Sequence, residues 1–124
     1  MSTIVWIAVG GALGAVLRFG TGLMITHWLG KNFPYGTLTI NVLGSFLIGV
    51  FTVWFLHREW LALPYARGLI VGVLGAFTTF STFSLDTLLL LESGYWFKAV
   101  LYVFSSVILC LLATGLGLAL ARAV

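Results

Sequence analysis

The decapeptide Gly75-Ala76-Phe77-Thr78-Thr79-Phe80-Ser81-Thr82-Phe83-Ser84 lies inside a long apolar run and is rich in hydroxyls where lipid favours leucine. Its hydroxyl side chains, Thr78, Thr79, Ser81, Thr82 and Ser84, interleave with phenylalanines at Phe77, Phe80 and Phe83. A spacing of three predicts that the rings stack on one side of a helical or 3₁₀ turn. Gly75 opens the stretch and lowers helix propensity there. In a bilayer, irregular backbone and clustered polar groups are tolerated only where protein buries them or a water-filled cavity meets them. The stretch is therefore expected to wall a permeation path. Helix packing in lipid uses the same small and hydroxyl residues, so on this segment alone the two readings stand level.

The surrounding chain is 61% hydrophobic and 7% charged, where soluble domains carry about 25% charged residues. That composition implies a membrane protein. A spanning helix needs about 20 mostly apolar residues, so the 124 residues accommodate four spans with short connections. The spans are expected at about residues 4–28, 36–57, 65–91 and 95–121, in a single four-helix transmembrane domain. Four helices enclose little volume, so a route for anything polar is expected to need a second copy. No basic residue precedes Arg18, so the charged start of a signal peptide is lacking and the first run is expected to be a retained span. Cys110 is the single cysteine, so neither a disulfide nor a cysteine metal site can form within the chain.

In the first span, Gly10/Gly14 and Gly11/Ala15 form small-x-x-x-small pairs where another helix can approach closely. Arg18 follows inside the apolar run, where a charge costs at least about 2.5 to 3.5 kcal/mol unless it snorkels or faces water. It is a functional-site candidate, with snorkelling to the nearer interface as the alternative. In the second span Thr37, Asn41 and Ser45 recur every four residues and make one polar face. A buried amide such as Asn41 must find partners, and an interhelical hydrogen bond of about 0.6 kcal/mol is the default expectation.

The third span contains Gly68 and Gly72 and is expected to break at the opening stretch. Broken membrane helices free carbonyls and amides that can coordinate ions. Asp86, beyond the break, either faces a dimer interior or caps the second half-helix. In the fourth span Tyr102, Ser106, Cys110 and Thr114 fall at four-residue intervals. Such hydroxyls often bond their own helix, but as a stripe answering the other polar faces they suggest a hydrated route. His27 and His57 sit singly near helix ends, without metal spacing, and read as interfacial.

Basic residues set insertion, since cytoplasmic loops usually carry the Lys/Arg excess. With four spans, Arg58, Arg67 and Arg122 lie on one side and Arg18, Lys31 and Lys98 on the other. This even balance predicts that both orientations occur. An antiparallel homodimer would then relate identical residues about the bilayer midplane.

With these residues in place, the chain closely resembles the Fluc/CrcB family of fluoride channels over nearly its whole length. Three motifs carry the resemblance: Gly10-Gly11-x-x-Gly14-Ala15-x-x-Arg18-Phe19, Gly36-Thr37-x-x-x-Asn41-x-x-Gly44-Ser45-Phe46, and Gly72-x-x-Gly75-Ala76-Phe77-Thr78-Thr79-Phe80-Ser81-Thr82-Phe83. The resemblance implies an all-α membrane protein with a broken third helix. It also implies an antiparallel, dual-topology homodimer with two pores that lets cytoplasmic fluoride leak out, multi-pass in the bacterial inner membrane. By the same resemblance Asn41, Phe80 and Phe83 line the pore, with Ser81 and Thr82 beside them, and Tyr102, Ser106 and Thr114 face it. Arg18 belongs to the entry vestibule, and backbone carbonyls of Gly75 and Thr78 from both subunits hold a structural Na⁺. Cys110 departs from the pattern, because a thiol donates more weakly than a serine hydroxyl. Fluoride, sodium, the lipid bilayer and a second copy are the expected partners; no nucleic acid is.

The rival from another class is a small dual-topology, proton-coupled multidrug-type exporter. That chemistry wants a membrane-embedded carboxylate, and no acidic residue precedes Glu59, which leaves Asp86 alone. Paired carboxylates, a His cluster and an activated Ser or Cys are all absent from the sequence, so no enzyme is expected. A subunit that only packs is the bland alternative.

Overall fold

The computed structural model describes residues 2–124. Among them there are only helices, turns and short irregular segments, with no strand. Four helical stretches, Ser2–Leu29, Tyr35–His57, Pro64–Glu92 and Trp96–Ala123, are long and apolar enough to cross a membrane. At 1.5 Å per residue, even the 23-residue second stretch spans a hydrocarbon core of about 30 Å. In lipid this is the favourable way to satisfy the backbone, because a helix bonds every interior amide and carbonyl within itself.

Helices α1 (Ser2–Leu29) and α2 (Tyr35–His57) are joined by a short turn in which Gly30 adopts φ 85°. That left-handed conformation suits glycine and ends α1, with the Gly30 amide donating to the Thr26 carbonyl at 2.9 Å. The third span is composite. Pro64 starts the one-turn α3 (Pro64–Arg67), a position where its missing N–H costs nothing. A π-helical segment follows over Gly68–Leu74, then a single turn α4 (Gly75–Phe77), and α5 (Phe80–Glu92) after two extended residues. Helix α6 (Trp96–Ala123) completes the chain.

Two contacts organise the bundle. On one side α1 lies against the π segment through glycines. A Cβ on Gly68 would sit 2.9 Å from the Trp6 carbonyl oxygen, and one on Gly72 would sit 2.7 Å from that of Ile7. Gly10 and Gly14 face back onto the Gly68 and Val73 carbonyls just as closely. The Gly10/Gly14 pair thus serves packing within the chain, while a Cβ on Gly11 would meet nothing within 4 Å. On the other side α2 packs along α6, where Thr114 Oγ1 donates to the Ser45 carbonyl at 2.9 Å. The buried apolar set (Ile40, Val53, Phe55, Leu74, Phe77, Ala99, Tyr102 among them) lies between these contacts. Large aliphatics such as Leu111 and Leu112 point outward, as expected where the surroundings are hydrocarbon rather than water.

Candidate functional site

The centre of the site is the junction of α4 and α5. Phe77 ends α4; Thr78 (φ −79°, ψ 156°) and Thr79 (φ −151°, ψ 111°) are extended, and Phe80 begins α5. Asn41 on α2 captures this segment. Its Oδ1 accepts from the Thr79 amide at 2.8 Å and its Nδ2 donates to the Thr79 carbonyl at 3.1 Å. Thr79 also caps α5: its hydroxyl accepts from the Thr82 amide at 3.2 Å and donates to Thr82 Oγ1 at 3.0 Å, with Ser81 Oγ 3.3 Å away. Gly44, one turn beyond Asn41, makes room, since a Cβ there would collide with the Thr78 methyl.

These bonds redirect two amides. In a continuous helix the Thr79 amide would bond the Gly75 carbonyl and the Thr82 amide the Thr78 carbonyl. Here the first goes to Asn41 and the second to the Thr79 hydroxyl. The Gly75 and Thr78 carbonyls therefore lose their ordinary α-helical donors.

Within the opening stretch the extended residues are Thr78 and Thr79. Gly75 itself is helical (φ −64°, ψ −36°), although a glycine costs a helix roughly 1 kcal/mol, and it sits between the buried Leu74 and Phe77. The three phenylalanines do not share a face. Phe77 is buried at 6% exposure whereas Phe80 is 78% exposed; the two extended residues between them break the helical phase. Two of the hydroxyls serve their own helices, Thr78 Oγ1 donating to the Leu74 carbonyl at 3.1 Å and Ser84 Oγ to that of Phe80 at 3.0 Å.

From Phe80 an aromatic series leads inward. Its ring centroid lies 5.4 Å from that of Phe83, Phe83 lies 5.1 Å from Tyr102, and Tyr102 lies 5.5 Å from Phe33 in an edge-on arrangement. Tyr102 is fully buried, and its hydroxyl donates to Asp86 Oδ2 at 3.0 Å. Asp86 is six residues beyond the start of α5, so it is not a cap. Sequence reasoning missed both this pair and Phe33; the separation of Asp86 from Tyr102 is sixteen residues across a turn, with no periodicity to announce it.

Above the junction opens a cavity of about 960 Å³ with Thr79, Thr82 and Asp86 among its walls. Arg18 and Thr37 also line it, and Lys31 and Lys98 stand with them, so three cations face one carboxylate. Lys98 Nζ is held by the Asn32 carbonyl at 3.0 Å. Arg18 is half-buried, and its Nε is buried without an acceptor among the described residues. His27 is exposed and lines the same cavity.

The α6 stripe divides. Tyr102 serves Asp86 and Thr114 serves the Ser45 carbonyl. Ser106 is 6% exposed, and its hydroxyl has no partner among the described residues. Cys110 is half-buried and unpaired.

Residues 5–118 match the family described as CrcB-like protein, Camphor Resistance (CrcB). The chain is 50% identical over 121 residues to a protein of Magnetococcus marinus, covering 96% of this chain and 97% of the relative. It is 46% identical over 123 residues to one of Rhizobium meliloti, covering 99% and 98%. A Methylococcus capsulatus relative is 53% identical over 116 residues, 94% of this chain but 51% of that longer protein. Each of the three is named Fluoride-specific ion channel FluC.

Proposed function

The chain belongs to the CrcB-like family, and on that premise we propose that it is a fluoride-selective channel through which cytoplasmic fluoride leaves passively. Its relatives are ion channels rather than enzymes by name, and its four apolar spans make it a multi-pass membrane protein. The bacterial inner membrane is the proposed location.

The observation that carries this reading is the Asn41–Thr79 contact beneath a cation-lined cavity. Fluoride is small and strongly hydrated, so a pore must replace water with donors without holding the ion too tightly. A carboxamide has two N–H donors; Asn41 commits one to the Thr79 carbonyl, and the other is available to an anion. Phe80 and Phe83 can offer electropositive ring edges. Arg18, with an unpartnered buried Nε, draws anions into the vestibule. Ser81 and Thr82 flank the path, and Tyr102, Ser106 and Thr114 face it from α6; the Thr114 hydroxyl is already given to the Ser45 carbonyl, and Ser106 is the one best able to contribute, since its bonds are unfilled.

A second copy is part of the proposal. Gly75 and Ser81 are exposed on the outside of the isolated chain, and Gly75 belongs to a segment whose carbonyls have lost helical donors. Unsatisfied backbone groups facing lipid cost several kcal/mol each, so protein is expected to cover them. An antiparallel, dual-topology homodimer does this with identical surfaces and produces two pores. The redirected amides also suit a structural Na⁺: the Gly75 and Thr78 carbonyls of both subunits would hold it. When bound, such a cation supplies positive charge beside the anion path and joins the two broken helices. No observation favours the proton-coupled exporter.

The test is release of fluoride from proteoliposomes containing this chain alone, with chloride as the control ion. Rapid fluoride release with chloride retained is expected. Equal loss of both ions, or of neither, refutes the proposal.

A further inference from the structure

Thr79 bonds to both halves of the site. Its amide and carbonyl hold the Asn41 carboxamide at two points, 2.8 and 3.1 Å, and its hydroxyl holds the first turn of α5 through the Thr82 amide and hydroxyl. It is 8% exposed and forms part of the cavity wall. A carboxamide bonded at one atom can rotate about its last torsion, which is broad and soft. One bonded at both ends to the same residue cannot rotate without losing both bonds. The oxygen of Asn41 and one of its two N–H groups are thereby assigned, and the direction of the remaining N–H follows from where Thr79 stands. The same residue fixes the start of α5, and Phe80 is the next residue along.

We propose that Thr79 is the positioning residue of the ion path: through its backbone it aims the free Asn41 N–H, and through its hydroxyl it sets the entry of α5 and hence the place of Phe80. The proposal rests on the channel reading, in which Asn41 and Phe80 meet the anion. It separates the hydroxyls of this stretch by task. Thr79 links elements, whereas Ser84 bonds only the Phe80 carbonyl of its own helix.

The experiment compares Thr79→Val, Thr79→Ser and Ser84→Ala with the unsubstituted channel, as fluoride flux per assembled protein across a range of fluoride concentrations. Valine keeps the shape and removes the hydroxyl; serine restores it, and is itself a favoured cap. The maximal flux of Thr79→Val is expected to fall at least about tenfold, while Thr79→Ser stays within about threefold and Ser84→Ala matches the unsubstituted protein. Flux from Thr79→Val equal to that of Ser84→Ala overturns the proposal, as does a serine variant no better than valine. A second measurement needs no Thr79 variant to fold. Hydrogen exchange at the Thr79 amide should be slow in the unsubstituted protein and at least about tenfold faster in Asn41→Ala; rapid exchange without any substitution overturns the proposal. An unsubstituted protein that releases no fluoride refutes the channel reading first, and is distinguished by that result.

Discussion

Two hydroxyl-bearing regions of this chain look alike in composition and behave differently. On α6, Thr114 donates to the Ser45 carbonyl and joins two regular helices that already bond their own backbones. At the α4–α5 junction, Thr79 and Asn41 take over main-chain groups that a helix would have used, and the helix stops. The contrast teaches that a hydroxyl in a membrane helix is structural glue when it adds a bond to a completed ladder. It becomes part of a site when it replaces a rung and leaves carbonyls looking for another partner.

The largest expected effect comes from removing the replacement rung. Asn41→Ala leaves a buried amide and carbonyl without partners, each worth about 1 to 3 kcal/mol, and removes the free donor. Fluoride efflux is expected to fall to background while the proposed dimer persists in detergent, and Phe80→Ile should do the same by removing the aromatic edge. Normal flux in both variants would erase the difference between the two regions. Next comes sodium: prolonged exchange into sodium-free buffer should weaken the proposed dimer or stop conduction, if the redirected amides free carbonyls for a cation. Full activity without sodium would count against that use of Gly75 and Thr78. The smallest effect is expected on α6. Thr114→Val removes one interhelical bond, worth about 0.6 kcal/mol in membrane proteins, and should lower stability slightly with flux changed less than about threefold. A loss as severe as that of Asn41→Ala would make the Thr114 hydroxyl as critical to the ion as the Asn41 carboxamide and dissolve the contrast.

Much of this was legible beforehand, for identifiable reasons. The four spans follow from runs of apolar residues at a length the bilayer imposes. The Gly10/Gly14 pair announced a close helix contact because only small residues allow one, although its partner, the Gly68–Leu74 segment, carried no sign of π winding. The position of Asn41 on a polar face was visible, while its capture of Thr79, thirty-eight residues away, was not. Asp86 was readable only as a stray carboxylate; its bond to Tyr102 depends on how α5 lies against α6.

The line between the two kinds of knowledge is physical. Hydropathy, small-residue spacing and motif order are local properties, and they already specify four membrane helices, a polar stretch within the third and membership of a channel family. Where a helix stops is a competition between its own carbonyls and outside groups for the same amides, and the winner depends on which side chain the bundle brings within 3 Å. Only the folded chain decided that, within the stretch, Thr78 and Thr79 are the extended residues, because there Asn41 arrives with a donor and an acceptor together.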